Sequence, residues 1–487
     1  MKYLDKTIIE LHDLLLKKEV TPYQLALEAI ENAKNDNNNA FETICEKEAL
    51  EFASSLTEVE EDNLFWGIPF VAKDNFSTKG ILTTGSSNIL KDYVPVFDAT
   101  VIKKLKEKKA VLIGKTTLDE LAMGGTGTTG HLGITYNPYD ESHTYLVGGS
   151  SCGSAVSVAA GIVPFALGSD TGDSIRKPAT FAGLVGLKPT WGRISRYGLF
   201  PFAPSMDHVG FFTRSVEDAC IALSTLEGRD NLDMTSSFKD GKDYLKDLNA
   251  DIKGKNIAVI KEIVGSIYED DVKVNFNKTL DILKEAGANV NYVSIDKKLL
   301  SAIFATYYII SCSEATSNNA NLDGIKFGPR NMNATSYQEV MNDARTNGFG
   351  EFIKRRFIVG SYSLYKDNQE ELFIKAQKIR RLIVDRVNEI LKDNDVIYSP
   401  CSGRVKMPID SSSIDKTTDE YLIIENHLGI ANFAGLPSLT LPIALVDKFP
   451  MGANFTGKAF DEQNVLNIAF ALESKLGLKN LSVKKVK

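Results

Sequence analysis

Three short segments carry the residues best able to do chemistry: GSDTGDSIRKP (168–178), PFVAKDNF (69–76) and GGSS (148–151). Ser174 follows the apolar run IVPFAL (162–167) across small and polar residues, as where a strand ends in a tight turn. A serine so placed is a candidate nucleophile, and a nucleophilic serine needs a base. The chain has 5 histidines, and none lies in the thirty residues upstream of Ser174. Lys73 offers another route. It is flanked by apolar residues, and lysines are rarely buried without reason. Desolvation lowers an amine's pKa until the neutral form can accept a proton near pH 7. A relay from Ser174 through a serine of the GGSS loop to Lys73 would do what histidine does elsewhere. The backbone N–H groups of the turn Thr171, Gly172, Asp173 and Ser174 would face the developing oxyanion, one such donor being worth ~3–4 kcal/mol. Taken alone, Ser174 reads better as a helix N-cap before IRKPA.

The elements that must hold these residues alternate between strands and helices. WGIPFVAKDNF and AVLIG (110–114) read as short buried strands separated by Lys-rich helical segments, which points to an α/β class with a central sheet. KNIAVI, an amphipathic helix around 270–286 and ANVNYVSI form a β-α-β pattern. Residues 300–390 read as mostly helical, VIYSP and ANFAGLPSLTLPIAL as strand-bearing, and DSSSIDKTTDE (410–420) as a mobile loop. The N-terminus predicts an amphipathic helix with Ile8, Leu11, Leu14 and Leu15 on one stripe.

Composition excludes several classes. A net charge of −7 argues against a large nucleic-acid footprint, because neutralising phosphates takes clustered Lys and Arg. The 5 cysteines are scattered with no CxxC pair, so neither a zinc site nor a disulfide framework is expected, and a reducing cytoplasm suits them. No metal is expected on this chain. The N-terminus has no signal-peptide core, and no apolar run of about 18 residues predicts a membrane span. GKTT (114–117) resembles the end of a P-loop, but the position that needs glycine is Lys109. The glycines of 124–130 lack the spacing of a dinucleotide site.

Together, Lys73, GGSSCGSA and GSDTGDSIRKPATFAGLVGLKPT resemble the amidase signature family of Ser-cisSer-Lys hydrolases, in the family's order and spacing. The resemblance implies an α/β amidase-signature fold, a central mixed sheet flanked by helices. Residues 1–60 read from their charged, helical texture as a helical N-terminal segment, which leaves a catalytic domain at 61–487 with its signature core at about 66–220. It also implies roles: Ser174 the nucleophile, Ser150 the bridging serine with its cis peptide, Lys73 the base, and Ser151 a second loop serine supporting the substrate site. Further segments are similar to the A subunits of bacterial aspartyl/glutamyl-tRNA amidotransferases: LKPTWGRISRYGLFPFAPSMDHVGFFTRSVEDA, YYIISCSEATSNNANLDGIKFG, NGFGEFIKRRFIVGSYSL and GKAFDEQNV. That likeness implies a cytoplasmic glutaminase that hydrolyses glutamine to glutamate and ammonia. The ammonia passes to a B subunit, which uses ATP and Mg to amidate Glu-tRNA(Gln), often Asp-tRNA(Asn) as well, while a C subunit holds the complex together. For glutamine itself the resemblance implies Arg356 at the α-carboxylate, with Arg355 as the alternative, Tyr307 as a contact, and Glu425 facing the α-amino group.

Two residues depart from the family pattern. Cys152 stands where glycine is usual and reads as neutral packing. Asp173 stands at a glycine of the oxyanion turn, where a carboxylate would oppose the oxyanion's charge. The expectation is that Asp173 keeps its N–H in place and turns its side chain outward, toward Lys177 or Arg176. Two rival functions follow: a free-standing amidase for other small amides, and a catalytically weakened assembly subunit.

Overall fold

The computed structural model describes residues 2–486. In chain order the strands are β1 (Phe41–Ile44), β2 (Pro69–Lys73), β3 (Val111–Thr116), β4 (Tyr145–Leu146), β5 (Phe165–Asp170), β6 (Val185–Lys188) and β7 (His208–Thr213). They continue with β8 (Asn256–Ile260), β9 (Asn289–Val293), β10 (Val396–Pro400), β11 (Met407–Pro408), β12 (Ser438–Val446) and β13 (Phe449–Gly457). Eleven of these form one sheet in the order β1-β3-β2-β5-β7-β6-β12-β13-β10-β8-β9, while β4 and β11 pair separately. The sheet is mixed, as expected: β2 is parallel to both β3 and β5, whereas β7, β6, β12 and β13 join antiparallel.

The central strands read as continuous apolar or small runs because both faces are covered. Every residue of β2, β3, β5, β6 and β7 is buried. The β-α-β pattern of 254–296 is present, with β8 and β9 paired in parallel around the helix Asp270–Glu285. Residues 1–60 contribute more than helices: β1 closes the sheet beside β3, and Ile8, Leu11 and Leu15 pack into the same core as the strands. The stripe is slightly rotated from the sequence reading, with His12 buried and Leu14 only partly so.

A second apolar cluster lies under the helices Ile303–Asn318, Glu351–Leu364 and Lys375–Asp393. The stretch Lys297–Asn321 is long and apolar enough to cross a membrane by length and composition, contrary to the sequence expectation. Here it packs against Glu351–Leu364 and Lys375–Asp393 and brings Tyr307 to the site described next.

Candidate active site

Lys73 is the last residue of β2, and the parallel register sets Phe70, Val71 and Ala72 opposite Phe165, Ala166 and Leu167 of β5. Both strands therefore end at the same edge of the sheet, where open α/β sheets bind ligands. Lys73 Nζ donates to Ser150 Oγ at 2.7 Å, to Ser169 Oγ at 2.9 Å and to the Ser169 carbonyl at 3.4 Å. The side chain is fully buried, and desolvation pushes its pKa down to about 7; Cys152 and the carboxylates of Asp119, Asp170 and Asp207 oppose that shift only in part. A lysine with this pKa is neutral often enough near pH 7 to act as a base.

Ser150 follows a cis peptide bond, Gly149–Ser150, at the entry to the buried helix Cys152–Ala159. The preceding Gly/Thr-rich loop, which carries no dinucleotide motif, holds this entry in place. The Asp119 carboxylate accepts the backbone N–H groups of Thr126, Gly127, Thr128 and Thr129, and a Cβ on Gly149 would lie 2.0 Å from Asp119 Oδ2. Only glycine fits there. Ser151 is wholly buried: its Oγ donates to the Ser169 carbonyl at 3.0 Å, and its N–H donates to the Ser174 carbonyl at 3.2 Å. It braces the two loops. Cys152 packs against Gly127, in keeping with a neutral filler, and burial raises its thiol to about 12.

Ser174 lies on the turn between β5 and the helix Arg176–Ala182, whose cap is Ile175, so Ser174 is not a helix cap. The turn is tied by a buried knot. Arg176 reaches both Asp170 oxygens (3.0 and 3.1 Å), the Gly172 carbonyl (2.8 Å), the Leu428 carbonyl (2.7 Å) and Asn432 Oδ1 (2.6 Å). Burial favours the neutral acid, yet Arg176 holds the Asp170 carboxyl well below the usual carboxylate range. Thr171 Oγ1 donates to Asp207 at 2.7 Å. Within this frame, the backbone N–H groups of Thr171, Gly172, Asp173 and Ser174 have no hydrogen-bond acceptor among the described residues. Four successive free donors beside Ser174 are available to an anion. No hydrogen bond joins Ser150 Oγ to Ser174 Oγ among the described residues; such contacts commonly tighten only when substrate is bound.

Asp173 departs from expectation. It has no positive φ, so the exchange for glycine carries no left-handed strain. Its side chain pairs with neither expected partner, because Arg176 is committed to Asp170 and Lys177 to Glu425, at 2.5 Å. The carboxylate is half-buried and makes no hydrogen bond among the described residues. Burial raises its pKa to about 6 against the pull of Lys177, and its charge is felt by Tyr307. The Tyr307 ring rests on the same turn: a Cβ on Gly172 would lie 3.0 Å from it.

The two arginine candidates separate cleanly. Arg355 is exposed, whereas Arg356 is 6% exposed. The Arg356 guanidinium sits over the rings of Tyr308, Phe352 and Phe202 at 4.9, 5.1 and 5.6 Å. Among the described residues its hydrogen-bond partner is Cys312 Sγ at 3.9 Å, and Nε has none. A buried guanidinium without a carboxylate is suited to receive one from a ligand. Glu425, the residue expected to face the α-amino group, is held in a network of its own. Lys177, Tyr268 (2.6 Å), Ser402 (2.9 Å) and the Gly403 N–H (3.1 Å) already occupy its oxygens, and against the effect of burial they bring its pKa to about 2. A cavity of about 560 Å³ lined by Tyr268, Arg404 and Tyr421 adjoins this knot and does not include Lys73, Ser150 or Ser174.

Sequence reasoning missed Ser169, Asp119, Asp170 and Asn432. Ser169 and Asp170 lie inside the motif and were open to notice; Asn432 acts from more than 250 residues away, beyond any local signal. Lys115 of GKTT forms a buried ion pair with Asp74 at 3.1 Å, a structural role.

The arrangement is one that a serine nucleophile with a lysine base could use. The family model described as Amidase matches residues 23–466. The A subunit of the Pediococcus pentosaceus glutamyl-tRNA(Gln) amidotransferase is 40% identical over 479 residues, covering 97% of each chain. Its Latilactobacillus sakei counterpart is 41% identical over 478 residues, covering 97% of this chain and 96% of that one. Among solved structures, the A subunit of the Thermotoga maritima glutamyl-tRNA(Gln) amidotransferase matches with a TM-score of 0.79 at 36% identity, covering 98% of this chain and 96% of the other. The native peptide amidase of Stenotrophomonas maltophilia matches with a TM-score of 0.81 at 26% identity, covering 98% of each. On its motifs, its fold and these relatives, the chain belongs to the amidase family.

Proposed function

We propose that this chain is the glutaminase subunit of a tRNA-dependent amidotransferase. Neutral Lys73 draws a proton through Ser150 from Ser174, whose Oγ attacks the side-chain amide carbon of glutamine. The free N–H groups of residues 171–174 stabilise the oxyanion. The relay then returns the proton to the departing amine, ammonia leaves, and water releases glutamate from the acyl-serine. Arg356 is the observation that carries the substrate assignment: it is a buried cation with no carboxylate, caged by aromatic rings and standing near Tyr307, which itself touches the oxyanion turn. A simple amide has nothing to offer such a group; an amino acid does.

The names of the relatives support the rest of the reading. Ammonia goes to a B subunit that spends ATP with Mg to amidate Glu-tRNA(Gln), and any action on Asp-tRNA(Asn) belongs to that partner too. A C subunit completes a cytoplasmic heterotrimer.

The test is glutamate release from glutamine, with and without the partner subunits, for wild type and Ser174→Ala. Turnover that depends on Ser174 and rises with the partners supports the reading. Turnover of simple amides without partners, exceeding that of glutamine, overturns it in favour of a free-standing amidase.

A further inference from the structure

A lysine that acts as a base must do more than shed its proton. The neutral amine carries two hydrogens and one lone pair, and only the lone pair can take a proton from Ser150. Lys73 Nζ has three neighbours within hydrogen-bond reach: Ser150 Oγ at 2.7 Å, Ser169 Oγ at 2.9 Å and the Ser169 carbonyl at 3.4 Å. A carbonyl oxygen accepts and never donates, so one N–H is drawn to it. If Ser169 Oγ accepts the second, the lone pair is left facing Ser150. If the Ser169 hydroxyl turns and donates instead, it occupies the lone pair and the base is quenched.

Both oxygens of Ser169 are held. Its carbonyl also accepts Ser151 Oγ at 3.0 Å, and the residue is fixed in the register of β5 with β7, opposite Val209. Its Oγ accepts the Asn75 side-chain N–H at 3.0 Å. Asn75 is buried on the turn that follows β2, and this is its one side-chain hydrogen bond among the described residues, Oδ1 having none. An amide N–H can only be received, so it fixes one lone pair of Ser169 Oγ and keeps that oxygen against Lys73. We propose that Ser169 is a positioning residue that aims the Lys73 lone pair at Ser150, and that Asn75 holds Ser169 in that role. This rests on the reading of Lys73 as the base. When Ser174 gives its proton to Ser150 and Ser150 gives its own to Nζ, the two N–H groups on Ser169 stay where they are. The ammonium so formed has an acceptor for each of its three hydrogens, and the proton facing Ser150 goes back along the same path to the leaving amine.

The test separates aiming from packing through the pH profile. Ser174 in the assembled complex is labelled with a fluorophosphonate, which Ser174 Oγ attacks at phosphorus with loss of fluoride. The labelling rate of wild type should fall as pH drops through about 7. Ser169→Ala should lower the plateau rate ~10–100-fold, the cost of a misaimed group. It should also move the limb down by ~1 pH unit, because the ammonium loses an acceptor. The other groups that act on Lys73 (Cys152, Asp119, Asp170 and Asp207) are untouched by the change, and neighbouring Asp74 is committed to Lys115 at 3.1 Å. A variant that folds poorly is labelled to a lower extent but does not shift the midpoint of the rate. Asn75→Ala should slow labelling ~3–10-fold, with a smaller shift in the same direction. A plateau that falls with the limb unmoved, or no change in either, overturns the role of Ser169. Asn75→Ala that matches wild type overturns the role of Asn75, and the glutaminase reading survives both results. Labelling of Lys73→Ala at the wild-type rate overturns the base and the positioning role together. A complex that is labelled as expected but releases no glutamate from glutamine overturns the glutaminase reading alone, since the probe carries no amino acid.

Discussion

Lys73 Nζ lies 2.7 Å from Ser150 Oγ, and all of its hydrogen-bond acceptors are uncharged serine oxygens. An amine so placed gains no ion pair to offset its burial and is held near neutrality at about pH 7. Two variants check its role. Lys73→Ala and Ser174→Ala should each remove at least ~100-fold of glutaminase activity, as loss of one member of a concerted relay does. Because the base must be unprotonated, kcat/KM should fall as pH drops through about 7, approaching ~10-fold per pH unit below it. Asp173→Asn should retain that limb, which would separate it from any titration of the carboxylate.

The same displacement bears on stability. The folded pKa of Lys73, about 7, lies below its ordinary value of 10.5, so between those limits the unfolded chain binds the extra proton. Stability rises with pH wherever the unfolded state holds more protons. Lys73→Met should therefore be inactive yet resist urea better than wild type at pH 7. The gap should narrow as the pH is raised toward 10.5. Each tenfold displacement of the proton equilibrium is worth ~1.4 kcal/mol.

Gly149 offers a steric test. A methyl group there would lie 2.0 Å from Asp119 Oδ2 and 2.8 Å from the Gly127 nitrogen, so Gly149→Ala must push the Asp119 loop or the bridging serine out of place. A shift of the order of 1 Å in a reacting group costs ~100-fold in rate. Gly125→Ala, where a Cβ meets nothing within 4 Å, is the control and should retain wild-type turnover.

The arginine pair gives the fourth prediction. Arg356→Ala should raise the KM for glutamine ~10–100-fold, the value of a charge-assisted hydrogen bond. Arg355→Ala should leave it within about twofold, because that side chain is exposed. Steady-state kinetics on both variants decides the matter.

Legibility from sequence tracked the range over which each residue acts. Lys73, Ser150 and Ser174 sit in motifs whose spacing is set by three consecutive connections of one sheet, so the chemistry could be read locally. The β-α-β unit at 254–296 was legible for the same reason: its periodicities are local and strong. The partners of those motif residues were harder. Lys177 finds Glu425 248 residues away, an ion pair that no local pattern announces and that leaves no hydrogen bond from Lys177 to Asp173 among the described residues. β1 was hidden in a charged, helix-rich segment because a 4-residue edge strand is too short for a periodic signal.

Arg176 hangs the nucleophile's turn on the Leu428 carbonyl and on Asn432, which also donates back to Asp170 at 2.9 Å. The timing of synthesis follows from this. A nascent chain that has exposed the whole signature core, Ser174 included, still lacks the struts that shape the turn until residues 428–432 have left the ribosome. Hydrolytic competence therefore waits for the synthesis of Leu428 and Asn432, and no proteolytic fragment ending before Asn432 should inherit it.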